Sequence, residues 1–158
     1  MKPVRIPSPS LPGALFIWRC PSLAGGTLSP SDAACLSEAG ITHVFCLLGA
    51  AEVESLSARR AAVEALGMRF HSAPIADFAA PTLSQAELLV AEATRLLGDG
   101  AHILVHCMAG LGRSGTVAAL FCVSQGMGAG GAIALVRRVR PGAIESAEQE
   151  ALVRAFAL

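Results

Sequence analysis

A short apolar strand that runs into a glycine-containing turn and then an apolar helix constrains this chain more than any other feature. Residues 101–106 combine bulky and β-branched side chains, a run typical of a strand buried on both faces of a sheet. Gly110 and Gly112 follow in the turn, and the apolar helical stretch begins at Ser114. Glycines let successive N–H groups point into one concavity, and the helix start adds partial positive charge there. The stretch therefore predicts an anion-binding loop at the end of a buried strand.

Two reactive side chains enclose this turn. Cys107 begins it and Arg113 follows six residues later. Surrounding N–H donors can lower the pKa of a cysteine from about 8.5 to roughly 3.5–7.5, so Cys107 is expected to be a nucleophile at neutral pH. The planar guanidinium of Arg113 matches two oxygens of a phosphate group. Together they predict phosphoryl transfer to sulfur, through a cysteinyl-phosphate intermediate stabilised by the loop.

The other residues of the turn have predicted supporting roles. The Ser114 hydroxyl is expected to donate to the leaving sulfur, and His106 to orient the loop. Phosphate is expected to bind along Met108, Ala109, Gly110, Leu111, Gly112 and Arg113. Of the five cysteines, only Cys107 is followed by an arginine six residues later. This spacing favours a nucleophile over a structural cysteine that precedes an ordinary turn.

The sequence from His106 to Ser114 resembles the signature of the cysteine-dependent protein tyrosine and dual-specificity phosphatases, which is His-Cys, five residues, Arg, then Ser or Thr. Segment 74–77 resembles the acid loop of the kinase-associated phosphatases, and segment 41–54 resembles the atypical dual-specificity group. The likeness covers roughly residues 14–157. The resemblance implies hydrolysis of phosphate monoesters on protein side chains without a metal or another cofactor. The implied partner is a phosphorylated protein or peptide.

Asp77 is the predicted proton donor for the leaving oxygen, and the same carboxylate is expected to activate water later as a base. The other aspartates have structural explanations, because Asp32 falls in the first turn of a predicted helix and Asp99 lies in a Gly-Asp-Gly turn. Asp77 instead lies in a loop after a predicted strand, at the same sheet edge as Cys107. It also matches the catalytic aspartate of the kinase-associated phosphatases. General acid catalysis of this kind typically contributes about 10²–10⁴-fold.

Gln149 has two interpretations that the sequence leaves open. Residues 141–149 resemble the atypical dual-specificity group, in which the matching glutamine helps to place the attacking water. The spacing of Ser146 and Gln149 is equally that of a capping box at a helix start. Gln149 is therefore expected either to support water attack or to close the end of a helix.

The whole chain is predicted to be one α/β domain, a sandwich in which helices flank a mostly parallel sheet of about four or five strands. Residues 1–13 are expected to be a loosely ordered, Pro/Ser-rich lead-in to a phosphatase domain over residues 14–158. The sequence pattern predicts an edge strand at 14–18, further strands at 41–48, 68–73 and 101–106, and helices at 30–39, 51–66, 82–97, 114–127, 130–139 and 146–157.

Charge and composition disfavour several other kinds of protein. The 12 basic and 12 acidic residues cancel, and the basic cluster Arg137, Arg138 and Arg140 is expected to be a solvated helix end. Nucleic-acid and membrane partners are therefore not expected. A secretory leader is not expected either, since prolines interrupt residues 1–12. The uncharged run at 114–136 is predicted to form two buried helices, because Ser, Gln and Gly residues divide it.

The five cysteines are irregularly spaced, which indicates reduced thiols in a cytoplasmic protein, here expected to be a monomer. Cys46 ends a predicted strand and is interpreted as core, with a redox role beside Cys107 as the alternative. The histidines lack the spacing of a metal site.

The neutral residues Met108, Ala109 and Leu111 favour phosphotyrosine as substrate, with phosphothreonine second, over more highly charged phosphates. Two alternatives to a phosphatase stay open on the sequence. The first is a rhodanese-like or arsenate-reducing thiol enzyme that uses the same loop. The second is a catalytically silent module that binds phosphoproteins.

Overall fold

The computed structural model describes residues 1–156, which form an α/β fold around a five-stranded sheet. The strands are β1 (Val4–Ile6), β2 (Ala14–Trp18), β3 (Leu23–Ala24), β4 (Thr27–Leu28), β5 (His43–Cys46), β6 (Arg69–Ser72) and β7 (His102–His106). The helices are α1 (Pro30–Glu38), α2 (Leu56–Glu64), α3 (Leu83–Gly98), α4 (Gly112–Ser124), α5 (Ala129–Val139) and α6 (Ala147–Phe156). The sheet has the order β1-β2-β7-β5-β6, and β3 and β4 form a separate hairpin.

The register of the sheet brings three strand ends to one edge. Strands β2, β7, β5 and β6 are parallel, and β1 is antiparallel to β2. Trp18 and Cys46 both lie opposite His106, so the carboxyl ends of β2, β5 and β7 meet. Ligands of open α/β sheets bind outside such an edge. Cys107 follows His106 directly and therefore begins its loop at this edge.

Alternating side chains of β7 divide the core into two layers. Ile103 and Val105 pack with residues of α3, α4, α5 and α6 on one face, whereas Leu104 packs with residues of α1 and α2 on the other. Every residue of α4 from Gly112 to Val123 is buried, so this helix is covered on all sides. The loop between β7 and α4 is thus held by two buried elements. The predicted α/β sandwich with a mostly parallel sheet is confirmed.

Two predictions about the amino-terminal part are wrong. The expected loosely ordered lead-in contains β1, whose Ile6 is fully buried and lies opposite Leu15. Strand β2 is therefore inside the sheet rather than at its edge. Prolines at 3 and 7 flank β1, which an edge strand tolerates. Three residues are too few to produce a recognisable alternation, so composition alone suggested a loop.

Several element boundaries also differ from the predictions. The helix predicted from residue 51 begins at Leu56, because the Ser55 hydroxyl caps it by accepting from the Ala58 N–H at 3.0 Å. The β3–β4 hairpin was not predicted, and α4 begins at Gly112, two residues early. The run at 114–136 divides between α4 and α5 as expected. Within residues 1–156 no helix is long and apolar enough to span a membrane. The helix end predicted at 157 lies outside the described residues.

Candidate active site

The loop of residues 107–113, here called the phosphate loop, is fixed against the end of β2. Gly110 has a φ of +74°, and a Cβ there would lie 2.5 Å from the carbonyl carbon of Trp18 and 2.6 Å from the Arg19 nitrogen. Only glycine fits this position. The Cys20 N–H donates to the Met108 carbonyl at 2.9 Å. The loop therefore packs closely against the backbone at the end of β2.

The beginning of α4 is open to an anion. Leu111 is its N-cap residue and offers no side-chain hydrogen bond to the first turn. The first N–H groups of a helix lack intrahelical partners and carry partial positive charge. Here they follow directly on the phosphate loop, so a bound anion would meet both sets of donors. The predicted binding of phosphate along residues 108–113 stays a prediction.

Cys107 lies at the buried floor of the loop. Its Sγ is 3.3 Å from the Ser114 Oγ, and 3% of the Cys107 surface is exposed. The neighbouring His106 is also buried, and its Nδ1 donates to the Cys107 carbonyl at 3.2 Å. Burial lowers the pKa of His106 to about 4, so its ring is neutral at physiological pH. A neutral ring bound to the backbone fits the expected role of orienting the loop.

Arg113 is 1% exposed and its guanidinium is held from two sides. Nη1 donates to Glu52 Oε2 at 2.8 Å and to the Ile75 carbonyl at 2.9 Å. Burial opposes the charge of Arg113, but the hydrogen bond to Glu52 and the nearby Glu52, Cys107 and Asp77 charges raise its pKa. The buried Nε of Arg113 has no partner within the described residues. One donor of the guanidinium thus stays available for an anion in the loop.

Glu52 is a site residue that the sequence reasoning missed. It lies in the loop after β5, where its carboxylate also accepts from the Gly49 N–H at 2.9 Å. The hydrogen bond from Arg113 holds the pKa of Glu52 below its usual range, despite partial burial. The argument that selected Asp77, an acid after the carboxyl end of a strand, applies equally to Glu52. That signal was present in the sequence.

Asp77 joins the site as predicted from its position after a strand. Its Oδ1 lies 3.3 Å from Arg113 Nη2, and its carboxylate is 57% exposed. The loop of residues 74–81, here called the acid loop, turns sharply at Phe78, whose φ is +61°. The carbonyl of Phe78 accepts from Ser146 Oγ at 2.7 Å. The start of α6 therefore holds the acid loop in place.

Gln149 is fully buried, and its side chain connects α6 to the acid loop and to the segment between α5 and α6. Its Oε1 accepts from the N–H groups of Glu145 and Ser146 at 2.9 and 3.1 Å. Its Nε2 donates to the Ala79 carbonyl at 3.2 Å, and its own N–H donates to Ser146 Oγ at 3.1 Å. These contacts are those of the capping alternative. A role for Gln149 in placing water stays a prediction.

The prediction that the basic cluster is merely solvated is wrong for two of its arginines. Arg140 donates from Nε to the Gly110 carbonyl at 3.1 Å and from Nη2 to the Ala109 carbonyl at 3.0 Å. These bonds occupy two carbonyls of the phosphate loop and hold them towards Arg140. Arg137 donates to the Ala143 carbonyl at 3.0 Å. The two Arg140 bonds join segments 30 and 31 residues apart and leave no local pattern in the sequence.

Of the other cysteines, Cys46 and Cys122 are buried in the core, and Cys20 and Cys35 are partly buried. Cys46 is fully buried in the layer that faces α1 and α2, whereas Cys107 belongs to the opposite layer. Burial raises the pKa of the Cys46 thiol, and that of Cys122 to about 11. The redox role considered for Cys46 stays a prediction. Within residues 1–156 no group of three His, Cys, Asp or Glu side chains could hold a metal ion.

The fold and the loop together define a class of protein, the cysteine-dependent phosphatases that the signature resembles. Kinase associated phosphatase (KAP), solved with its catalytic cysteine replaced by serine, superposes with a TM-score of 0.85 over 99% of this chain and 93% of its own, at 22% identity. Tk-PTP in the active form superposes with a TM-score of 0.75 over 99% of this chain and 98% of its own, at 30% identity.

The family model of the Swiss Army Knife protein, DSP-PTPase phosphatase domain, matches residues 18–153, and the chain belongs to this family. The predicted place in the dual-specificity and tyrosine phosphatase superfamily is thereby confirmed. A segment of 74 residues is also 35% identical to tyrosine-protein phosphatase CDC14 of Candida albicans (strain SC5314). That match covers 46% of this chain and 14% of the relative's length.

Proposed function

We propose that this chain is a metal-independent phosphatase that hydrolyses phosphotyrosine, and secondarily phosphothreonine and phosphoserine, in proteins or peptides. The observation that carries the proposal is the arrangement around one loop. The Cys107 sulfur lies at its floor, the buried guanidinium of Arg113 closes it, and the Asp77 carboxylate lies 3.3 Å from that guanidinium. Loop N–H groups and Arg113 supply the donors that a phosphoryl group in transfer needs.

The first step forms the cysteinyl phosphate. The Cys107 thiolate attacks phosphorus while the bond between phosphorus and the substrate oxygen breaks. Asp77 gives its proton to that leaving oxygen, which departs as an alcohol or phenol. Arg113 and the loop N–H groups hold the charge on the three remaining phosphoryl oxygens.

The second step hydrolyses this intermediate. A water oxygen attacks phosphorus, the phosphorus–sulfur bond breaks, and its electron pair returns to the sulfur of Cys107. Ser114, whose Oγ lies 3.3 Å from that sulfur, stabilises the leaving thiolate with its hydroxyl proton. The proton that the water loses passes to the Asp77 carboxylate, which became a base when it gave up its own proton in the first step.

The rim of the site supports a preference for an aromatic phosphate ester. Phe78 follows Asp77 and is 57% exposed, and Met108 is 45% exposed. Both offer apolar surface to a phenyl ring, and exposed aromatic surface next to a site is available for stacking. The loop positions 109 and 111 carry the neutral residues Ala109 and Leu111 rather than basic ones. This supports a substrate with a single phosphate over a polyanionic substrate.

We further propose that the protein acts as a cytoplasmic monomer without a nucleic-acid or membrane partner. Five cysteines without a disulfide support a reducing compartment. Equal numbers of basic and acidic residues give no charge attraction to polyanions.

The test compares the unmodified protein with the Cys107→Ser variant, using p-nitrophenyl phosphate and paired phosphotyrosine and phosphothreonine peptides in the presence of a chelator. We expect turnover by the unmodified protein, faster on the phosphotyrosine series, and none by the variant, which should still bind vanadate or phosphate. Full activity of the variant would end the proposal. Thiosulfate or arsenate turnover without phosphatase activity would select a rhodanese-like or arsenate-reducing enzyme. Tight phosphopeptide binding without hydrolysis would select a silent binding module.

A further inference from the structure

A buried ion pair lies next to the site, although it takes no part in the proposed reaction. Asp32 is 3% exposed and is the only buried Asp or Glu of residues 1–156. Its carboxylate accepts from both terminal nitrogens of Arg19, at 2.7 and 2.9 Å, and from the Ser22 N–H at 2.7 Å. Burying a charge is costly even when it is paired. The Ser29 hydroxyl already caps α1, so the helix start alone does not explain this pair.

The ion pair fixes the chain directly after β2, residues 19–22, here called the support segment. Arg19 Nη1 also donates to the Cys20 carbonyl at 3.0 Å, and the guanidinium lies 4.5 Å from the centre of the buried Trp18 ring. A guanidinium that lies over an aromatic face and binds a carboxylate through two nitrogens has little freedom to move. The same carboxylate binds the N–H of the last residue of the support segment. The segment is therefore held at both of its ends.

The phosphate loop packs on the support segment. The Cys20 N–H donates to the Met108 carbonyl at 2.9 Å, so the two backbones are joined one residue after the nucleophile. Gly110 lies so close that a Cβ there would be 2.5 Å from the Trp18 carbonyl carbon and 2.6 Å from the Arg19 nitrogen. Both are backbone atoms, which cannot rotate aside. A shift of the support segment would therefore move Met108 and Gly110, and with them the N–H groups of the loop.

We propose that Arg19 and Asp32 are positioning residues that act through the support segment and hold the phosphate loop in the conformation that receives the phosphoryl group. This inference rests on the proposed phosphatase function. Neither side chain needs to touch the substrate. The transition state of phosphoryl transfer is stabilised by donors that are already in place, and a misplacement of about 1 Å can cost about 100-fold in rate. Breaking the pair should therefore lower kcat in protein that is still folded.

A positioning role and a merely structural role predict different behaviour of the folded protein. If the pair only stabilises the fold, variants melt at a lower temperature but turn over substrate normally while they are folded. If the pair positions the loop, the folded variants have a lower kcat and bind vanadate, a mimic of the transferring phosphoryl group, more weakly by a similar factor. The donors around Cys107 are then displaced as well, so its thiol should ionise at a higher pH.

The experiment compares the unmodified protein with Asp32→Asn and Arg19→Lys, at a temperature at which thermal melting shows each protein to be folded. Asp32→Asn removes the negative charge, whereas Arg19→Lys keeps the positive charge but loses the two parallel bonds. We expect kcat with p-nitrophenyl phosphate and the affinity for vanadate to fall by about 100-fold in Asp32→Asn, and by less in Arg19→Lys. Alkylation of Cys107 by iodoacetamide at a series of pH values, measured by peptide mass, should show a higher thiol pKa in both variants.

The matched control is Glu92→Gln, the same chemical change in a second carboxylate that binds one arginine through two nitrogens. Glu92 accepts from Arg95 at 3.0 and 2.7 Å on the surface of α3. This variant should have the kcat, the vanadate affinity and the Cys107 reactivity of the unmodified protein. If Asp32→Asn does not fold, Arg19→Lys decides between the two roles by the same measurements.

Three outcomes would overturn the positioning role. Folded variants with a lower melting temperature but unchanged kcat and vanadate affinity would make the pair purely structural. A raised KM with unchanged kcat would place the effect in substrate binding. An equal loss in Glu92→Gln would show that the effect does not depend on this pair. An unmodified protein that binds vanadate but hydrolyses no ester would instead contradict the proposed phosphatase function, and the vanadate affinities of the variants would still decide the role of the pair.

Discussion

The phosphate loop and the acid loop lie at the same edge of the sheet but are held in different ways. Backbone groups hold the phosphate loop, through Cys20 N–H on Met108 and Ile144 N–H on Leu111, and the Arg140 side chain adds two further bonds. Its floor, Cys107, is 3% exposed. The acid loop is held mainly by side chains of other elements, and its Asp77 carboxylate is 57% exposed. The nucleophile thus lies in a rigid frame, whereas the acid lies in a loop that solvent reaches.

This difference separates two kinds of contribution to catalysis. A preorganised loop stabilises transition-state charge without having to rearrange, so its geometry matters for activity and folding together. An exposed acid takes part in the reaction but buries little surface. Its removal should therefore lower the reaction rate more than the free energy of unfolding. Two of the side-chain hydrogen bonds to the acid loop, from Ser146 and Gln149, connect it to the start of α6. Each of the following substitutions tests one part of this contrast.

The largest expected effect is the loss of activity when the exposed acid Asp77 is replaced. Asp77→Asn removes the proton for the leaving oxygen, so kcat should fall by about 10²–10⁴-fold, and more for phenyl phosphate than for p-nitrophenyl phosphate, whose leaving oxygen needs less protonation. The free energy of unfolding should change by only about 0.5 kcal/mol, because the side chain is largely exposed. Steady-state kinetics and denaturant titration measure both. Asp99→Asn, at the exposed end of α3, is the matched control. An equal loss with both esters would contradict the acid role.

The second largest effect is expected from a substitution in the phosphate loop, which should lower both activity and stability. Gly110→Ala introduces a Cβ about 2.5 Å from the backbone of Trp18 and Arg19, so the phosphate loop must shift. A displacement of this order costs about 100-fold in activity, and we expect a loss of about 2–4 kcal/mol in the free energy of unfolding.

Gly126→Ala is the control for this substitution. Gly126 also has a positive φ, of +100°, but a Cβ there would have no atom within 4 Å. It should therefore show the cost of backbone strain without the collision, about 1 kcal/mol, and normal activity. If both variants lose the same stability and neither loses activity, the phosphate loop is not held against β2 as described.

The third effect is a pH dependence of folding in the rigid frame. Burial lowers the pKa of His106 from 6.5 to about 4. Between these values the unfolded chain binds a proton that the folded protein does not, so stability is fully present above pH 6.5 and is lost as pH falls towards 4. The loss attributable to His106 is at most about 3 kcal/mol.

His106→Asn isolates this contribution. The asparagine amide can still donate to the Cys107 carbonyl, but it does not titrate. Denaturant titrations across the same pH range should give a shallower dependence for His106→Asn than for the unmodified protein. The lowered pKa values of Asp32 and Glu52, whose stabilising effect is also lost as pH falls, are common to both proteins and cancel in the comparison. Parallel curves would show that His106 is not buried as a neutral ring.

The contrast between the phosphate loop and the acid loop also explains which features of the site could be predicted from the sequence. The phosphate loop is formed by consecutive residues between a buried strand and a buried helix, so its nucleophile, arginine and glycines could all be located from one stretch of the chain. Asp77 could be located because a loop after a parallel strand must lie at the carboxyl edge. The α/β architecture followed from alternating strand and helix patterns in the same way.

The hydrogen bonds that hold the site together could not be predicted as pairs, because each joins segments that are distant in sequence. The position of Glu52 after a strand end could be read from the sequence, but its bond to Arg113 could not. Glu52 binds Arg113 across 61 residues, Arg140 binds Gly110 across 30, and Ser146 binds Phe78 across 68. Their side chains follow no local periodicity that would announce such partners. Strand β1 was not predicted for a related reason. It is defined by its pairing with β2 rather than by a pattern within its own three residues.

The smallest expected effect tests whether these distant contacts matter. Ser146 caps α6 by accepting from the Gln149 N–H, and it donates to the Phe78 carbonyl in the acid loop. Ser146→Ala should lower the free energy of unfolding by about 1 kcal/mol and reduce kcat by a few-fold, because the acid loop loses one of its fastenings. Ser146→Thr, which keeps the hydroxyl, should retain most activity. Ser29→Ala removes the corresponding N-cap of α1 and should cost similar stability with unchanged kcat. If Ser146→Ala and Ser29→Ala have the same kcat, the acid loop does not depend on α6 for its position.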